Sequence, residues 1–290
     1  MKHLLMETGE SNQDTLSIVS PTYNASLHEQ YHLSLQIGIN QLSYCILDTS
    51  SLHYELLKSI SFTANTIDEH CTIISDIINN NEQLLNNYSS YSATFIGFPS
   101  TLIPTTIYQK EHAKQLLTFN HEIFDCLMTD SLSKQDVKLI YSIPQKLKDS
   151  IDAFFPNIKI KSQSTLLIKE LEQVPTDKKT IYCYSNSGKI ELFVLYKGKL
   201  LLHNAFKYTT KEDVLYYVLF CMEQLQLSTE QCTLVLYGTI KKESDIYALL
   251  YEYIRTIEIG KRPVAFTYSE EFTALEPQQF FGLFSQVLCV

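Results

Sequence analysis

The sequence predicts an α/β fold in which one β-β-β-α-β-α unit occurs twice. Residues 179–254 read as three strands joined by tight turns, then helix, strand and helix. The same order appears near the N-terminus, over residues 31–98. Turn positions and helix placement agree between the two stretches, which is the pattern of an internal duplication.

In the C-terminal copy, Asn186-Ser187-Gly188 and Lys197-Gly198 join runs rich in Ile, Val, Leu, Tyr and Phe, a hairpin signal. Thr210 caps a helix, with Asp213 three residues on, where a carboxylate meets free N–H groups and the positive end of the helix dipole. Residues 232–237 form a short apolar run ending at Gly238, the profile of a buried strand, and a second helix follows from Ser244. In the N-terminal copy, residues 32–37 and 42–47 are strands about Gly38-Ile39-Asn40, and residues 53–63 are the third. Thr66 starts a helix predicted to reach Asn86, and residues 93–97 are a strand running into Gly97-Phe98-Pro99. Ser61-Phe62-Thr63 then corresponds to Lys207-Tyr208-Thr209, and Gly97 to Gly238.

Outside the copies, residues 1–14 are polar and read as a frayed end, and residues 15–20 as an edge strand stopped by Pro21. Between the copies, Pro104 is expected to open a helix through residues 108–117, since its missing N–H had no partner in a first turn. Residues 121–128 are read as a strand, 129–135 as a loop, and 137–143 as a strand ended by Pro144. A helix follows with Leu147, Ile151, Phe154 and Phe155 on one face, then a strand over 158–161 and a helix over 166–171 capped by Ser164. Residues 174–178 are the hinge, giving an arm over 1–30, a first domain over 31–176 and a second over 177–290. Residues 258–268 are read as one strand across Gly260 and Pro263. Pro277 opens a short helix whose Phe280, Phe281 and Phe284 pack the C-terminal segment back between the domains.

The chain of 290 residues is 45% hydrophobic, enough for two domains and a large core. Its net charge of -9 argues against nonspecific binding to nucleic acid or anionic membrane, both of which need clustered Lys and Arg. The apolar run 190–202 is broken by Lys197 and Lys199 and cannot span a bilayer, and residues 1–6 lack a signal-peptide core. The expectation is a cytoplasmic protein that does not insert into membrane. Seven cysteines without CxxC spacing read as buried thiols in a reducing compartment. Glu69-His70-Cys71 looks metal-like, but neighbours on a helix point about 100° apart and cannot converge on one ion. No GxxxxGK[ST], GxSxG, HExxH or GxGxxG occurs.

The duplicated unit, and the strand, Pro144 and helix that follow the first copy, resemble the actin-like ATPase superfamily with its ribonuclease H-like domains. LSLQIGINQLSYCILD, KLLLHNAFKYTTKEDVLYY, LVLYGTIKKES and FFGLFSQVLC resemble an uncharacterised bacterial domain-of-unknown-function family with that fold, over residues 31–290. A more distant likeness is to PilM-type pilus-assembly proteins. The superfamily resemblance implies an Asp-x-Gly in the first hairpin of each domain, where the acid organises Mg²⁺ and backbone N–H groups cradle phosphate. Here the matching triplets are Gln36-Ile37-Gly38 and Asn186-Ser187-Gly188, each with a neutral amide that supplies no charge to Mg²⁺. The adenosine loop, expected to be rich in Gly, reads Leu236-Tyr237-Gly238-Thr239. ATP and Mg²⁺ are thus the cofactors implied, at positions that have drifted away from binding them.

Other candidates have plainer readings. Gly38 and Gly188 suit hairpins, Asp48 a turn and Asp213 a helix start. Glu55 and Glu191 are acids on strands, His112 and His121 surface residues, and Lys189 a possible phosphate contact beside Gly188. Three functions follow. The first is a non-catalytic scaffold or pseudo-ATPase with an unknown protein partner. The second is an ATPase or phosphotransferase with atypical motifs. The third is a PilM-like adaptor of a membrane assembly. The oligomeric state is left open.

Overall fold

Alternating apolar residues on either side of tight turns set up two meanders, and each becomes the heart of a mixed sheet. A computed structural model describes residues 14–289, so the polar segment 1–13 lies outside the described residues, as does the Cys289 side chain. The chain runs β1 (Thr15–Val19), β2 (Tyr31–Gly38), β3 (Gln41–Asp48), β4 (His53–Ser61), α1 (Ile67–Asn79), α2 (Glu82–Leu85) and β5 (Ser90–Ile96). Next come β6 (Ser100–Pro104), α3 (Ala113–Thr118), β7 (Cys126–Leu132), β8 (Val137–Ile143), α4 (Gln145–Phe154), β9 (Lys159–Ser162) and α5 (Gln163–Leu171). The second meander is β10 (Thr180–Asn186), β11 (Lys189–Tyr196) and β12 (Lys199–Lys207), followed by α6 (Lys211–Gln224), β13 (Thr233–Gly238), α7 (Asp245–Tyr253) and β14 (Thr256–Ile259). β15 (Thr267–Tyr268) and α8 (Phe281–Ser285) close the chain.

The two sheets share one strand order. The first is β1-β4-β3-β2-β5-β9, with β15 also on β4, and the second is β12-β11-β10-β13-β14. In each, the three meander strands are antiparallel and the two later strands parallel. The likeness reaches single residues. A bulge falls between Ile46 and Leu47 in the first sheet and between Val194 and Leu195 in the second, six residues into each second strand. The extra residue is Glu55 on β4 and Leu201 on β12, the third residue of each strand. After each third strand, Phe62 N donates to Asn40 O and Tyr208 N to Gly188 O, both at 2.9 Å.

Contacts divide the chain inside α5, between Thr165 and Leu166, where the sequence placed a boundary at 176. Val264–Ala274 and residues from 283 onward group with the first unit, and Leu275–Gly282 with the second. The arm read over residues 1–30 contributes β1, which pairs antiparallel with β4. In the first unit, Gln286 Nε2 donates to Leu35 O and Ser92 Oγ, fastening the C-terminal segment across β2 and β5. In the second, Ile181, Leu192, Val214, Val218, Leu234 and Leu250 are among the buried residues between the sheet and α6 and α7.

Several expected elements are corrected. Pro104 ends β6 and opens no helix; α3 spans only Ala113–Thr118. The segment 129–135, read as a loop, supplies most of β7. β6, β8 and β7 form a separate three-stranded sheet, inserted between β5 and α4. The first copy therefore continues to β9, with α4 as its second helix. The helix from Thr66 stops at Asn79, because Asn80 and Asn81 turn the chain before α2. Ser164 lies inside α5, which starts at Gln163. Residues 258–268 are two strands in different sheets, since Gly260 and Pro263 interrupt the run.

Candidate functional site

In the first unit, Gln36 and Gly38 sit at the end of β2, both buried. Gln36 Nε2 donates to Gln163 Oε1 at 2.8 Å, an amide pair closed off from water. Gly38 O accepts from His70 Nε2 at 2.9 Å. His70 lies between the rings of Phe62 and Phe98. Burial lowers its pKa, against the opposing pull of the Gly38 bond. Glu69 instead turns to the N–H of Asn65, and Cys71 is buried, so the three neighbours diverge. Among the described residues, no group of three or more His, Cys, Asp or Glu could hold a metal ion.

In the second unit, Asn186 is half-buried and its Oδ1 accepts from Ser187 Oγ at 2.9 Å. Gly188 has φ +74° in an open turn, the left-handed conformation that glycine adopts at no steric cost. Gly238 has a stricter reason: with φ +84°, a Cβ there would come within 1.9 Å of Ser185 O. Ser185 ties this loop down. Its Oγ accepts from the N–H groups of Thr239 and Ile240, both at 3.0 Å, and donates to Tyr237 O at 3.2 Å. The Tyr237 ring lies 4.4 Å from that of Phe281 and covers Gly260, where a Cβ would meet it at 2.3 Å. Burial pushes the Tyr237 hydroxyl up to about 12.

The ladders correct one correspondence. Ile37 pairs with Leu42, the second residue of β3, and Ser185 with Ile190, the second residue of β11. Counted from these pairs, Gln36 is equivalent to Tyr184 and Gly38 to Asn186, so the two glycine-ended triplets are two residues out of step. Phe95, opposite Ile37, is likewise the counterpart of Gly238, opposite Ser185; Gly97 lies two residues further on. Sequence reasoning missed Tyr184 and Gln163, the first for want of a ladder and the second because it is 127 residues from Gln36.

The remaining candidates hold structural posts. Asp48 accepts from Ser50 and Ser51 in its turn. Buried Glu55, the bulge residue, accepts from Thr22 Oγ1 at 2.8 Å. Glu191 contacts His203 Nε2 at 3.2 Å. Lys189 lies across from Asn186, its pKa lowered first by burial and then by Lys207. His112 and His121 are exposed. The six cysteines whose side chains are described are free thiols, all buried except half-buried Cys126.

Residues 20–257 match the model of the family described as "Protein of unknown function (DUF3822)". Among solved structures, the fold is similar to that of a Bacteroides thetaiotaomicron protein "with actin-like ATPase fold and unknown function". The TM-score is 0.77 at 20% identity, over 93% of this chain and 100% of that one. A chain of the PilM-PilN type IV pilus biogenesis complex is similar at TM-score 0.60 and 13% identity, over 89% of this chain and 97% of that one. Identities this low show the fold, which is the actin-like ATPase fold. The search of curated proteins returned no match.

Proposed function

We propose, for a chain that belongs to the DUF3822 family of proteins of unknown function, a non-catalytic role: a protein-binding module on an actin-like ATPase frame. The observation that carries this reading is the Gln36–Gln163 amide pair. Gln36 stands where the superfamily resemblance calls for an acid. A carboxamide supplies no charge for Mg²⁺, and this one is already bonded to Gln163. The counterpart in the second unit, Tyr184, is aromatic and buried. Tyr237, beside the single glycine of the loop that the resemblance assigns to adenosine, packs on Phe281 and Gly260. The similar chain from a complex named for PilM and PilN supports a partner-binding role, with a protein partner of unassigned kind. The test is calorimetric titration with ATP and Mg²⁺ beside a thermal-shift scan. No heat and no shift at millimolar nucleotide are expected. Heat saturating at micromolar ATP, with the rise in melting temperature that mass action requires, would overturn this reading in favour of a nucleotide-binding protein, whose turnover a hydrolysis assay would then decide.

A further inference from the structure

The two copies treat one strand differently. β4 and β12 are counterparts down to the bulge, yet six of the nine β4 residues are buried and none of the nine on β12. β1 pairs with β4 from Thr15↔Ile60 to Val19↔Leu56, and β15 takes the start of the strand at His53 and Tyr54. Among the described residues, β12 pairs only with β11 and ends its sheet. An unpaired edge is a template for another strand.

The copy also shows how that edge is oriented. Ser61 N donates to Asp14 O, so Ser61 and its alternate neighbours on β4 point their backbone groups toward β1. Their counterparts on β12 are Lys207, Ala205 and His203. Consistently, Ala205 N–H has no strand to bond and meets the Asn204 side chain at 2.9 Å. Leu201, counterpart of the Glu55 that meets Thr22 beyond β1, is 37% exposed. Beside the edge, Phe206 stacks on Tyr217 at 4.2 Å, and the exposed Tyr216 and Phe220 extend that aromatic surface along α6.

We propose that the β12 edge binds an extended segment of a protein partner by antiparallel strand addition, in the register that β1 uses on β4. The segment carries an acid opposite Lys207 and apolar residues opposite Phe206 and Leu202. Charge selects this occupant. Lys199 and Lys207 close the two ends of β12, and neither has an ion-pair partner among the described residues. The acids of α6 nearby, Glu212 and Asp213, lie in its first turn, with Asp213 held by Thr209 and Thr210. A second copy fits poorly: a two-fold at His203, the midpoint of β12, would set Lys199 opposite Lys207, and like charges across a ladder are unfavourable. In the first unit the place opposite Ser61 belongs to Asp14.

This inference deepens the partner-binding reading and rests on it. Its test does not involve nucleotide, so the two can fail separately. The probe is a synthetic peptide of residues 14–20 carrying Thr15→Val, which sets Asp opposite Lys207 and Val opposite Phe206 and Leu202. It is titrated into the ¹⁵N-labelled full chain. Saturating shifts at the amides of residues 202–207 are expected, with slowed hydrogen exchange at Ala205 and Lys207. Ala205→Pro, which removes an outward N–H and none from the β11 ladder, abolishes those shifts. Lys207→Glu weakens binding about fivefold and keeps the test decisive if the proline variant fails to fold. Three outcomes overturn the proposal: no shifts at millimolar peptide, shifts at β4 in place of β12, or a dimer of the free chain that Lys207→Glu strengthens.

Discussion

His32 spans two strands of the first sheet, its ring nitrogens bonded to Ser90 Oγ at 2.7 Å and Ser92 Oγ at 2.8 Å. Burial lowers its pKa from 6.5 to about 4. The unfolded chain therefore takes up the proton first as the pH falls. The stability this residue contributes is present above pH 6.5 and is lost as the pH falls through about 4. The loss is roughly 3 kcal/mol, one kcal/mol or more per pKa unit. Urea midpoints measured at pH 7 and pH 4 should fall clearly for the wild type and much less for His32→Gln. Gly238→Ala should cost about 2–4 kcal/mol in the same assay, since it adds left-handed strain to a clash with backbone. Side-chain roles set by near neighbours, such as the turn at Asp48, were legible in the sequence. The Gln36–Gln163 pair was not, because only the fold brings those amides together. The misplaced match of Asn186 to Gln36 has a similar origin: a glycine marks a turn but not its register.

The helix starts at Thr66, Thr210 and Ser244 were legible because each cap and its partner lie within one turn, whereas the starts read at Pro104, Ser164 and Pro277 had no such pair and were misplaced. Thr210 Oγ1 accepts from Asp213 N, and Asp213 reaches back to Thr209 and Thr210. Thr210→Ala should cost about 1 kcal/mol in thermal or urea unfolding. The N–H bonds from Thr209 and Thr210 hold the Asp213 carboxyl down to about 2. Its contribution is present above pH 3.8 and is lost as the pH falls through about 2. Melting temperatures of Asp213→Asn and wild type should thus converge at the acid end of that window. Both meanders were legible for the same reason of locality: two tight turns fix three strands. The inserted sheet was not. β7 contains Thr129, Asp130 and Ser131, a polar stretch with the look of a loop. Its strand character depends on β8, and Asp130 is buried only because Ser162 N and Lys161 Nζ bond to it.

For the molecule as a whole, β1 is both a stabilising strand and a cover. Removing residues 1–20 should lower the melting temperature and expose the β4 edge. Light scattering against concentration should then show more self-association than in the full chain; equal association would mean that β4 is protected by other means. The duplication is the property of the whole that the sequence disclosed, through order and turns alone. Its extent was hidden, because the insertion separates α4 and β9 from the rest of the first copy. The paired bulges carry a historical consequence. Deleting such a residue turns every side chain on one side of it to the opposite face, so it is hard to lose once a core has formed around it. Finding it at the same strand position in both halves implies that the ancestral gene, before it doubled, already encoded the irregularity. A reconstructed single-unit ancestor should carry the extra residue third in its third strand.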